Sequence, residues 1–259
     1  MLTDYSLKMP KEVYGGEHAL EKLKDVMSVN DVKKVAVFTD HGIRGTGLLE
    51  LPMQMLTQAG VETVILDDLP AEPTYSQVQV LVDAFRAEKA DIIVAVGGGS
   101  VIDTCKAIAH GAANPGTDIW EFWKRRAPLT KSMPVGVVLT IPAAGSETSD
   151  SAVLTNAEAG EKRGLNTPFN RPAFAILDPL LAATLPVHQV ACGVSDILMH
   201  TLDRYFNPVT DNALTDELAE ALLRVVLEYG PAAVRDAHDE KAMSLSLIHI
   251  SEPTRPLYI

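Results

Sequence analysis

Two stretches of this chain assemble residue types that can do chemistry. The first is Ala90-Asp-Ile-Ile-Val-Ala-Val-Gly-Gly-Gly-Ser-Val-Ile-Asp103. Ile92 to Val96 is short, apolar and rich in β-branched residues, the composition of a buried parallel strand, and it stops at Gly97, Gly98 and Gly99. Ser100 and Asp103 then read as an N-cap and an acidic third helical position, a capping box that opens a helix over Thr104 to His110. Together these parts present backbone N–H groups at the positive end of a helix dipole, which suits the phosphates of a nucleotide. Read alone, the same glycines also fit a plain tight turn. The second stretch holds Asp196 and His200, four residues apart and so on one helix face about a turn apart. A carboxylate and an imidazole so placed can hold a divalent cation, although the spacing alone equally fits a surface or satisfied core pair.

The elements that position these groups follow from the hydrophobic pattern. A short strand is expected around Lys11 to Tyr14, with a turn at Gly15-Gly16, then a helix from His18 to Met27. Lys33 to Thr39 reads as a buried strand that ends at Asp40, followed by a helix over 48–59 and a strand over 63–66. A loop at Pro70 to Thr74 leads to a helix over 76–89 and then to the glycine-ended strand. Strands alternating with helices at this spacing predict right-handed βαβ units and a parallel, Rossmann-like sheet. Ligands of such sheets sit at the carboxyl ends of the strands, where Asp40 and Gly97 to Ser100 both fall. Further strands are expected over 134–141, 152–155 and 174–177, with a loop of small residues at Pro142 to Ser149. Past Leu185-Pro186 the segments 189–206, 215–229 and 231–237 read as helical, which places a domain boundary near residue 185.

Composition narrows the classes of function. The 259 residues carry a formal charge of −12, which argues against nucleic acid and anionic membrane surfaces as partners. No apolar run reaches membrane-spanning length, and the N-terminus shows no signal-peptide pattern. Cys105 and Cys192 stand far apart in apolar surroundings, as reduced core residues of a cytoplasmic protein would. Trp120, Phe122 and Trp123 are expected to pack in the core.

Four motifs in this order carry a resemblance: Ala95-Val-Gly-Gly-Gly-Ser-Val-Ile-Asp103, Leu139-Thr-Ile-Pro-Ala-Ala-Gly-Ser-Glu147, Ala175-Ile-Leu-Asp-Pro179 and Gly193-Val-Ser-Asp-Ile-Leu-Met-His200. Over residues 5–240 the chain resembles the iron-containing (group III) alcohol dehydrogenases, in the branch of butanol dehydrogenases and broad-specificity aldehyde reductases. The resemblance implies an α/β dinucleotide-binding domain over 1–185 and an all-helical metal-binding domain after it. It implies that Gly97, Gly98, Gly99, Ser100 and Asp103 serve the pyrophosphate of NAD or NADP. Thr140, Ser146 and Ser149 would line the same cleft, and Lys162 would lie near the nicotinamide ribose. Asp40 falls where the family meets the adenosine ribose; a carboxylate there accepts from a 2′-OH and repels a 2′-phosphate, which favours NAD over NADP. Asp196 and His200 match two metal ligands, for Fe2+ or Zn2+, of a catalytic site acting on a small alcohol or aldehyde. Family members commonly form homodimers. Polyol dehydrogenase relatives and a non-catalytic dinucleotide-binding module share the scaffold and stand as alternatives.

The chain also departs from the family. The family completes its metal site with two later histidines, whereas only His238 and His249 follow His200 here, outside any ligand motif. The helical domain is therefore expected to be partial, over 186–243. Leu245 to Arg255 reads like a translated sequencing adapter, so 244–259 is expected to be an artefactual tail. The polypeptide as it stands is expected to show little or no activity.

Overall fold

The computed structural model describes residues 12–69, 72–206, 208 and 213–248. Lys11, the Pro70-Ala71 part of the expected loop, and His249 lie outside them. Strands β1 (Glu12–Gly15), β2 (Lys34–Asp40), β3 (Glu62–Leu69), β4 (Ile92–Gly97), β5 (Val135–Leu139) and β8 (Phe174–Leu177) form one six-stranded sheet in the order β1-β8-β5-β4-β2-β3. Every pairing in it is parallel. β6 (Ser151–Asn156) and β7 (Glu161–Asn166) form a separate antiparallel hairpin.

The apolar run of β4 is buried throughout because both faces of the sheet are covered. Helices α4 (Tyr75–Glu88) and α5 (Gly99–Ala113) pack Val78, Phe85, Ile102 and Ile108 against Ile93 and Ala95. On the opposite face, α1 (Lys22–Val29) and α3 (Glu50–Gln58) bring Leu23, Met27 and Leu56 against Val94 and Val96. After β2 the chain moves outward to β3, then crosses back to β4 on the other side of β2. The topological switch point thus lies between the carboxyl ends of β2 and β4.

Beyond β8, a short α7 (Pro179–Ala182) leads to α8 (Val187–Tyr205), α9 (Ala213–Arg235) and α10 (Glu240–Met243). Val190, Ile197, Val226 and Ala233 from this helical segment join the apolar cluster on the α4–α5 face. Ser244–Ile248 continue as a π-helical turn whose buried Ser246 hydroxyl donates to the Ala242 carbonyl.

Several expectations need correction. The helix placed from His18 starts later, because His18 takes a left-handed backbone (φ 66°) and Ala19–Glu21 form a 3-10 turn ahead of α1. A short α2 (His41–Thr46) follows Asp40, whose carboxylate caps it. The hairpin strand β7 was not expected: only Leu165 in it is buried, so no apolar alternation announces it. The helices expected on either side of Pro231 are one helix, α9. Val226, Gly230 and Ala233 form a buried stripe through the proline, and Gly230 has only 2.8 Å between a would-be Cβ and Val194 of α8. That close packing keeps the two halves in line, although a proline costs one helical hydrogen bond.

Candidate functional site

The glycine turn departs from the expected capping box. α5 starts at Gly99, not after Ser100, and its N-cap is Gly98, which has no side chain to satisfy the first-turn N–H groups. A 15-residue helix therefore offers bare amides at its positive end, at the switch point. None of the three glycines has a positive φ, so what they supply is space. A Cβ on Gly97 would stand 2.6 Å from Val101 Cγ2, so glycine there lets the helix sit directly on the strand end. Would-be Cβ atoms on Gly98 and Gly99 face Ile141 at 3.1 Å and Ala144 at 3.4 Å, so the 142–150 loop walls the turn.

The flanking strands end in buried hydroxyls. Thr39 on β2 and Thr140 after β5 are fully buried, and their Oγ1 atoms have no hydrogen-bond partner among the described residues. Orphaned buried hydroxyls beside an uncapped helix fit a polar ligand at this edge. Asp40 is half-buried at the end of β2, where its Oδ1 accepts from Ile43 N at 2.9 Å.

Asp103 and the loop serines form an internal network. Asp103 accepts from the Ser146 hydroxyl at 2.5 Å and from Val153 N at 2.9 Å. Ser146 is 6% exposed, and the Ser149 hydroxyl accepts from Ser151 N at 2.9 Å. At the centre is Lys106, a residue that sequence reasoning passed over. It is 1% exposed, and its ammonium donates to the carbonyls of Ser146 (2.8 Å), Ser149 (3.3 Å) and Ser151 (2.8 Å) and to the Ser146 hydroxyl (2.9 Å). A lysine one turn after Asp103, in a helix whose other positions are mostly small or apolar, was the available signal, because buried lysines are rarely left unpaired.

The remaining candidates are spread more widely. Lys162 stands near the tip of the β6–β7 hairpin, exposed, and its ammonium faces Glu72 at 3.7 Å. Asp196 and His200 do share one face of α8, with Oδ1 and Nε2 3.4 Å apart and both side chains nearly half exposed. No third His, Cys, Asp or Glu completes a metal-binding group with them among the described residues. His238 lies in an exposed turn after α9. Cys105 is buried, and burial with the nearby Asp103 charge raises its thiol pKa well above the usual value. Cys192, expected in the core, is exposed instead, with its sulfur 3.6 Å from His188 Nδ1 one turn back on α8. Trp120, Phe122 and Trp123 are buried as expected, and Trp123 donates from its indole to Ala152 O. Asp178 of the third motif is structural: it caps α7 through Leu180 N and holds Leu20 N at 3.2 Å.

An all-parallel α/β sheet with an uncapped, glycine-lined helix start at its switch point is a Rossmann-like architecture. The family model of the iron-containing alcohol dehydrogenases matches residues 10–179. The chain is 31% identical over 239 residues to NADH-dependent butanol dehydrogenase A of Clostridium acetobutylicum, covering 92% of this chain and 61% of that protein. It is likewise 31% identical over 237 residues to the NADPH-dependent aldehyde reductase YqhD of Escherichia coli, covering 91% and 60%. The crystal structure of NADH-dependent butanol dehydrogenase A from Thermotoga maritima matches 98% of this chain and 63% of its own, with a TM-score of 0.89 at 28% identity. The chain belongs to the iron-containing alcohol dehydrogenase family. It spans about three fifths of the length of the curated relatives it matches.

Proposed function

We propose that this chain binds a nicotinamide dinucleotide across the carboxyl ends of β2, β4 and β5. The observation that carries the reading is the uncapped start of α5 behind Gly97, Gly98 and Gly99, at the switch point of the sheet. The pyrophosphate would take the first-turn amides, Ser100 among them, and Asp40 would meet the adenosine ribose. Thr140 offers a buried hydroxyl on the β5 side. Lys162, whose ammonium faces Glu72 at 3.7 Å, would meet the nicotinamide ribose.

The parent reaction, by the company the chain keeps, is hydride transfer between NAD(P) and a small alcohol or aldehyde. A bound divalent ion, iron or zinc, would supply Lewis acidity toward the alcohol oxygen. Asp196 and His200 have the donor chemistry for it but furnish two ligands, half of a tetrahedral set. For these 259 residues the reading is therefore cofactor binding with little or no turnover. No described helix is long and apolar enough to cross a membrane. Among the described residues β1 is an edge strand with Val13 46% exposed, a surface on which a second copy could pair.

Asp40 gives the sharpest test. Titration of the chain with NADH and with NADPH should show tighter NADH binding. Asp40→Ala should weaken NADH by about tenfold, the loss of one good charged hydrogen bond, while NADPH improves relative to it. Equal affinity for the two cofactors in both proteins would sink the ribose assignment, and no binding of either would sink the dinucleotide reading.

A further inference from the structure

We propose that Lys106 is a positioning residue for the nicotinamide half of the site, holding the 142–150 loop at the height of the glycine turn. The inference rests on the dinucleotide reading above. Lys106 and Asp103 rise from α5, the helix whose start forms the cradle, and both reach the same loop. The ammonium grips the loop at Ser146 and at its exit through the carbonyls of Ser149 and Ser151. Asp103 holds the Ser146 hydroxyl and Val153 N, and lies 3.8 Å from the Lys106 ammonium.

The arrangement uses its donors fully. An ammonium has three N–H groups, and here four oxygens lie within 3.3 Å of it. Ser146 gives its hydroxyl proton to Asp103, so it meets Lys106 as an acceptor, and the charges of Lys106 and Asp103 offset each other through it. A lysine this buried keeps its place only when its donors are satisfied. The same loop supplies Ala144, against which Gly99 is packed, and follows directly from Ile141, which faces Gly98. Cradle and wall are thus built on one helix, and slack at Lys106 changes the width of the cleft.

The strand order says which half of the ligand feels it. Asp40 ends β2 on one side of β4, and the loop leaves β5 on the other. A dinucleotide with its adenosine ribose at Asp40 and its pyrophosphate on the turn must carry its second nucleotide over the loop. ADP brings the same diphosphate to the turn but has no second nucleotide to lie over the loop.

The test measures calorimetric affinity for NADH and for ADP in the wild type, Lys106→Met and Ser146→Ala, with amide exchange over 142–153 in the ligand-free chain. Lys106→Met should weaken NADH by roughly tenfold or more, leave ADP within about twofold, and speed exchange in the loop. Ser146→Ala removes the hydroxyl shared by Lys106 and Asp103 without stranding a carbonyl, and should give a smaller loss of the same pattern. Should Lys106→Met fail to fold, Ser146→Ala decides by that pattern alone. Equal losses for NADH and ADP, or an unchanged NADH affinity, would overturn the positioning role. A wild-type chain that binds neither ligand would overturn the dinucleotide reading itself and the inference with it.

Discussion

His110 shows how much of α5 is built for burial. Its imidazole is fully buried, with Nε2 2.7 Å from Asn170 Oδ1 and Nδ1 2.8 Å from Ser132 Oγ. Asn170 uses its amide N–H groups on the carbonyls of Leu165 and Asp150, so its Oδ1 accepts and the imidazole proton sits on Nε2. Burial lowers the His110 pKa to about 4; the Asn170 hydrogen bond opposes the shift, and the Lys106 charge adds to it. The unfolded chain takes up a proton near pH 6.5 that the folded protein refuses until about pH 4. Stability from this group is therefore intact above pH 6.5 and declines as pH falls toward 4. The loss should be about 2 kcal/mol between pH 7.5 and pH 5. Guanidinium denaturation at the two pH values should show it in the wild type and show a smaller loss in His110→Gln. The same loss in both proteins would assign the pH dependence to other groups.

The β4–turn–α5 unit separates stability from binding. Val101 is 2% exposed and cannot swing away from a methyl placed 2.6 Å from its Cγ2, so Gly97→Ala must lift α5 off the strand end. Its cost should be about 2 kcal/mol, the usual range for overpacking, read as a lower denaturant midpoint. Gly99→Ala meets only Ala144 at 3.4 Å and sits at the first position of the helix, so stability should stay within about 0.5 kcal/mol of wild type. Its methyl nevertheless enters the cradle, and NADH affinity should fall. Loss of stability in both variants, or in neither, would contradict this division of labour. At the same level, β7 was invisible to periodicity because only Leu165 in it is buried, and its pairing with β6 is what makes it a strand. Pro231 misled in the opposite sense, since the buried stripe on α9 outweighs a local breaker.

Taken whole, the molecule joins a six-stranded parallel sheet to a helical segment that carries the Asp196–His200 pair. After desalting against a chelator, the purified chain should retain well under one equivalent of iron or zinc, and butanol oxidation should not respond to added metal. Stoichiometric retention together with metal-dependent turnover would show that two donors suffice or that residues outside the described set complete the site. The parallel sheet, the glycine turn and the Asp196–His200 pair were legible from the chain because each is a local pattern: an apolar run, a glycine triplet, a spacing of four. So was the family, through four short motifs. The partnership of Lys106 with a loop some forty residues away, the uncapped Gly98 and the exposure of Cys192 left no such mark. These depend on which elements pack together, and the hydrogen bonds of a buried group are settled only when distant backbone arrives to meet it. Local residue types mark the candidate positions in this protein, and the packing of α5 against β4 and the 142–150 loop decides which of them stay open to the proposed cofactor.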